Sequence, residues 1–175
     1  MFKINAQTRL VLGALLLAIG LVLPTVFHSF GIAGQVFLPM HIPVLLAGFI
    51  LGWKYGAAIG FLVPLLTAGV ITPGMPPLFP VGLGMAFELA AYGLLTGLLA
   101  QRLNMFAALV IAMVGGRLVM GIANAVLFGM AEWAYSFQTF IAGAFVTALP
   151  GIIVQLILVP AILAALKRAR VFRRF

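Results

Sequence analysis

From Leu10 to Phe27, from Gly56 to Phe87 and from Ser136 to Leu166 the chain carries no ionisable side chain. Apolar runs of this length suit a bilayer, where a crossing helix needs about 20 such residues. With 65% of its 175 residues hydrophobic and 7% charged, the chain falls in the polytopic membrane class, with length for roughly six crossings and short connections. A soluble catalytic domain has no room. The absence of cysteine removes disulfides, thiolate metal sites and thiol nucleophiles together. The first run is long, lacks a small-residue cleavage pattern and leads into further runs, so it is expected to be a retained helix rather than a leader. The expected fold is an all-α integral membrane protein of six transmembrane helices, forming a single domain over residues 1–175.

Proline and glycine set the boundaries. The expected spans cover residues 8–27, 41–51, 56–71, 81–100, 105–127 and 139–166. The second is short for a full crossing, so it tilts or begins inside a loop folded into the protein. Residues 72–80 hold Pro73, Pro76, Pro77 and Pro80, which ends any helix and predicts a rigid cap. Pro24, near the far end of the first span, is expected to mark a helix boundary or kink, Pro64 is tolerable within its span where neighbouring groups satisfy the freed carbonyl, and the last span includes Pro150 and Pro160.

Charge orients these spans. Lys3, Arg9, Lys54, Arg102, Lys167, Arg168, Arg170, Arg173 and Arg174 all fall at alternate boundaries, while the connections 28–40, 72–80 and 128–138 hold no lysine or arginine. By the positive-inside rule both termini are cytoplasmic in a plasma-membrane protein, and the three uncharged connections lie outside. The net charge of +8 therefore reports topology and contact with anionic lipid, not a nucleic-acid surface.

Only Glu88 and Arg117 place charge well inside a span, where it is costly. By helix rise they lie about 10 and 15 Å from the outer ends of their spans. One reading is a mutual ion pair that fixes the bundle. The other is that Arg117 offers its planar fork to a ligand carboxylate or phosphate, with Glu88 orienting it or binding a ligand donor. Tyr92 follows Glu88 by one turn, and Asn124 lies two turns outward from Arg117 on the same face. His41, framed by Pro39 and Pro43, either makes a hydrogen bond at the start of its helix or contacts ligand at a pocket rim, and His28 is a weaker candidate. Gln155, with Gln35 and Gln138, reads as an interhelical tie or a polar contact. Met75 softens a pocket wall or fills a gap. The face formed by Ala14 and Ala18 is small enough for close helix approach, within this chain or to a partner. Paired catalytic carboxylates, a histidine cluster, a serine and histidine pairing and a phosphate-cradling glycine loop are all missing. The chain is therefore not expected to be an enzyme, to bind a metal or to carry a cofactor, and any ATP hydrolysis belongs to partner chains.

The six-span size, Ala14-x-x-x-Ala18, the segment Leu38-Pro-Met-His-Ile-Pro-Val-Leu-Leu-Ala-Gly48, the loop Gly74-Met-Pro-Pro and Met85-Ala-Phe-Glu-Leu-Ala-Ala-Tyr-Gly93 resemble the substrate-binding S components of energy-coupling factor (ECF) transporters. The similarity covers nearly the whole chain and is closest to the pantothenate-type branch. It implies outer loops capping a ligand pocket near the outer face, with Glu88, Tyr92, Arg117 and Asn124 in reach. It further implies docking through Ala14 and Ala18 to a membrane coupling protein powered by two cytoplasmic ATPases, and toppling of the whole subunit to deliver a vitamin. Arg117 favours an anionic vitamin such as pantothenate. His41 leaves open a metal-containing ligand such as cobalamin or haem, for which it would be an axial ligand. A small membrane enzyme acting on lipid through Glu88 and Arg117, and a non-catalytic scaffold, are the readings from other classes.

Overall fold

The computed structural model describes residues 5–29, 34–73 and 76–169, and all regular structure among them is helical. In chain order the helices are α1 (Ala6–Ser29), α2 (Gly34–Phe37), α3 (His41–Leu51), α4 (Trp53–Leu66), α5 (Leu83–Leu99), α6 (Met105–Met130), α7 (Phe137–Ile141) and α8 (Leu149–Arg168). Wider π-helical turns extend α4 over Thr67–Ile71, lead into α5 over Leu78–Gly82 and follow α7 over Ala142–Thr147. Polar side chains start three of the helices. Asn5 accepts from the Thr8 amide at 2.7 Å, Asn104 from Ala107 at 2.8 Å and Ser136 from Thr139 at 3.1 Å, each satisfying an amide that the helix leaves open.

Among the described residues, five helical segments are long and apolar enough to cross a membrane. The expected second span, short already in the sequence, is not among these five, and the last expected span is divided. Helix α3 has only 11 residues, a rise of roughly 16 Å against a hydrocarbon core of about 30 Å. All of its residues except Ile42 are buried, so it forms a half-length element inside the bundle. The chain reaches it through α2 and a turn at Leu38, whose φ of 51° lies in the left-handed region. The expected span 139–166 is also divided, because the helix breaks at Ala148 and restarts at Leu149. Pro150 sits in the first turn of α8, where its missing N–H costs nothing. Pro24, Pro64 and Pro160 lie within helices.

Close backbone contact holds the centre. Helix α3 packs on α1, α4, α5 and α8, while α4 and α5 form the most extensive helix pair. A Cβ at Gly93 would overlap the Gly56 carbonyl, and one at Gly97 would overlap Trp53. Small residues matter here because, in lipid, packing and interhelical contacts take over the role that the hydrophobic effect plays in water. Gly52, with φ of 94°, makes the sharp junction between α3 and α4, a conformation that costs glycine little. Gly13 of α1 rests on Leu51 and Tyr55, and Leu12 shares a groove with Leu166. These contacts bring Arg9, Lys54, Arg102, Lys167 and Arg168 to one end of the bundle, the basic end.

Gly93→Ala is expected to destabilise the purified protein by about 1–3 kcal/mol through overpacking, lowering its melting temperature by roughly 2–4 °C per kcal/mol. Gly129→Ala, where an added Cβ meets nothing within 4 Å, is expected to leave it nearly unchanged. Thermal unfolding of both variants in detergent checks the difference.

Candidate functional site

Three helices bring polar groups to a common depth. His41 begins α3, Glu88 lies in the second turn of α5 and Arg117 lies near the middle of α6. Counted along their helices, each stands roughly 16–18 Å from the basic end. Glu88 Oε1 collects all three neighbours. Arg117 Nη1 forms a salt bridge to it at 2.9 Å, Tyr92 donates its hydroxyl proton to it at 2.9 Å, and His41 Nε2 stands 3.5 Å away. The His41 approach is close enough for attraction but lacks the alignment of a hydrogen bond. The His41 and Tyr92 rings lie 5.3 Å apart. Gly116 makes room for the tyrosine, since a Cβ there would overlap its ring.

Burial is common to all four residues. His41 is 1% exposed, as are Glu88 and Tyr92, and Arg117 is 5% exposed. His41 is therefore part of the interior cluster. Its acid partner was hidden in the sequence, being 47 positions away on another helix.

The cluster leaves several polar atoms without a protein partner. Arg117 uses Nη1 toward Glu88 and also approaches Met120 Sδ at 3.8 Å, but its Nε and Nη2 have none. Those two nitrogens form the side-on edge of the guanidinium, the edge that grips a carboxylate or phosphate with two parallel hydrogen bonds. His41 Nδ1, Asn124 Oδ1 and both amide atoms of Gln155 are likewise buried and unpartnered. Gln155 is fully buried. Gly151, one turn before it on the same face of α8, abuts Val36 and Phe37, so Gln155 faces the interior near the start of α3. Asn124 lies against Gly84, where a Cβ would overlap its Oδ1. Orphaned polar atoms inside a bundle are costly, and a polar ligand or water would satisfy them.

One residue escaped the sequence analysis. Tyr135, in the connection after α6, has a hydroxyl that is buried and makes no hydrogen bond of good geometry. Its ring packs on Phe128 with centroids 4.9 Å apart, while Trp133 covers Phe128 edge-on at 5.7 Å. Burial pushes the Tyr135 phenol above its ordinary pKa; the neighbouring Asn124 amide opposes that rise and the charge of Glu88 adds to it. Tyr135 thus stands within electrostatic reach of the cluster. A loop tyrosine has no periodicity to fix its direction, and the only hint was a phenol in a connection free of lysine and arginine.

Met75 and the side chains of His28 and Gln35 lie outside the described residues. Ala14 and Ala18 are exposed on α1, away from the cluster. Among the described residues no group of three or more histidine, cysteine or acidic side chains could hold a metal ion.

A helical bundle with five segments able to cross a membrane and a buried, incompletely satisfied polar centre defines a multi-pass membrane protein. The family comparison agrees: residues 8–163 match the family model "ECF transporter, substrate-specific component", and the chain belongs to that family of transport subunits. No curated protein and no solved structure matches it.

Breaking the buried pair is expected to be more harmful than replacing it. Glu88→Gln leaves Arg117 uncompensated and is expected to cost about 3–5 kcal/mol, whereas the double variant Glu88→Gln with Arg117→Met restores part of that loss. Unfolding midpoints of the single and double variants in detergent measure the difference.

Proposed function

We propose that this ECF substrate-specific subunit binds an anionic vitamin, with pantothenate the first choice, between the outer connections and the Glu88–Arg117 pair. The observation that carries the reading is the open side-on edge of Arg117, held in place by Glu88 and buried away from water. A ligand carboxylate fits that edge. Tyr92 and His41 brace Glu88 from the other side, so the guanidinium is oriented before the ligand arrives, which reduces the ordering cost of binding. Asn124 and Tyr135, two turns further along α6 and beyond, suit the hydroxyl or amide end of an elongated ligand, with Gln155 as a further contact. Met75 belongs to the same proposal through its place in the loop after α4.

Family membership supports the remainder of the proposed cycle. Ala14 and Ala18 dock to a membrane coupling protein, two cytoplasmic ATPases supply the energy, and the subunit topples so that ligand taken up at the uncharged end is released inside. Both termini are then cytoplasmic. The three connections between the outer helix ends carry no lysine or arginine, which lowers the cost of moving that end through lipid. A metal-containing ligand draws no support from His41, whose ring is packed against Tyr92 and Glu88.

Titration calorimetry of the purified protein against pantothenate and other anionic vitamins is expected to find one tight ligand. Arg117→Ala is expected to weaken it by at least tenfold, the equivalent of about 1.4 kcal/mol, while Ala18→Trp leaves it unchanged and abolishes co-purification with the coupling protein. Full affinity in Arg117→Ala would remove the residue from the site, and binding only of neutral vitamins would overturn the anionic assignment.

A further inference from the structure

A second recess lies on the opposite side of α3 from the polar cluster. Helices α1 and α8 scarcely touch each other. Between them runs an apolar groove of about 620 Å³, floored by α3 and lined by Leu12, Leu16 and Phe27 of α1, Leu46 of α3, and Ile162 and Leu166 of α8, among others. No polar surface lines it. From Leu12 to Phe27 it extends roughly 22 Å along α1. That exceeds the roughly 15 Å depth of one leaflet, half of a hydrocarbon core of about 30 Å.

Basic residues follow the groove-lining stripes at the basic end of both helices. Arg9 precedes Leu12 by one turn on α1, and Lys167 and Arg168 directly follow Leu166 on α8. The whole chain has only two acidic side chains. Glu88 is engaged in the polar cluster and Glu132 lies beyond the far end of α6. These three cations of the basic end consequently have no carboxylate side chain to pair with among the described residues, and Arg9 Nε is buried without any hydrogen-bond partner. The mouth also coincides with the start of α1, whose open amides favour negative charge.

We propose that the groove between α1 and α8 is a binding site for an anionic phospholipid. One acyl chain lies along Leu12, Leu16 and Ile162, and the headgroup phosphate sits among Arg9, Lys167 and Arg168. A neutral lipid would satisfy the groove but not its mouth, and a free phosphate the mouth but not the groove. The site is separate from the small face of α1. At 100° per residue, Ala14 and Ala18 point roughly 150° away from the groove-lining stripe, so a partner on that face leaves the lipid in place.

Native mass spectrometry of the full chain, released from nanodiscs of equal phosphatidylcholine and phosphatidylglycerol, tests the site. The wild-type chain is expected to retain phosphatidylglycerol preferentially. Arg9→Gln, Lys167→Gln and Arg168→Gln should each reduce the preference roughly fivefold, equivalent to about 1 kcal/mol per cation, while Lys54→Gln with Arg102→Gln, which alters cations of the same end away from the groove, should preserve it. Ile162→Trp, which fills the groove, should reduce retention of either lipid and provides a reading if the charge variants fail to fold. Equal retention of the two lipids, equal loss in the Lys54 and Arg102 variant, or undiminished retention in Ile162→Trp would overturn the proposal. So would a lipid-free species of twice the chain mass, which would make a second copy the occupant.

Discussion

A carboxylate and a guanidinium facing each other at 2.9 Å in the interior of an apolar bundle is the constraint on which the rest of this structure depends. Neither charge is tolerable there alone, so α5 and α6 must present Glu88 and Arg117 at one depth and one rotation. The third helix is drawn into the same requirement. Tyr92 and His41 converge on the oxygen that Arg117 already contacts, which fixes α3 against α5. A buried pair of this kind is poor evidence of stability in itself, because an apolar replacement often packs as well. Its value lies in orientation: it holds a guanidinium whose other edge is free.

Small residues make that geometry attainable. Gly93 and Gly97 bring α5 to backbone contact with α4, and Gly116 leaves room on α6 for the Tyr92 ring. Helix α3 has only 11 residues. A full crossing would carry its N-terminal part past the cluster, whereas starting at His41 puts an imidazole where the carboxylate is. The recess on the other side of α3 is built by opposite means, from large apolar side chains on helices that stay apart. The two faces of one central helix are therefore chemically unlike, one packed against a buried polar cluster, the other bordering an apolar groove.

Much of this was legible in the sequence because membrane chains use charge so sparingly. Long uncharged runs define the spans, and Glu88 and Arg117 stand out as the exceptions, so their pairing at similar depth could be weighed before any coordinates. The family followed from segments such as Met85-Ala-Phe-Glu-Leu-Ala-Ala-Tyr-Gly93. Rotation about a helix axis was not legible. In an apolar helix the hydrophobic pattern is nearly the same on every face, so nothing in the sequence turns His41 toward Glu88 or Gln155 toward the interior. The break at Ala148 was hidden as well, since Pro150 is compatible with a kink in a continuous helix and with the first turn of a new one. Tyr135 lay in a connection where no periodic signal operates.

The central claim is that the buried pair is the ligand's anchor. A structure of the purified subunit with its tightest-binding vitamin addresses it most directly. The account predicts ligand oxygen atoms within hydrogen-bond distance of Arg117 Nε and Nη2, with Glu88 still on Nη1. A ligand held elsewhere, with the side-on edge of Arg117 turned to water or to protein, would contradict it.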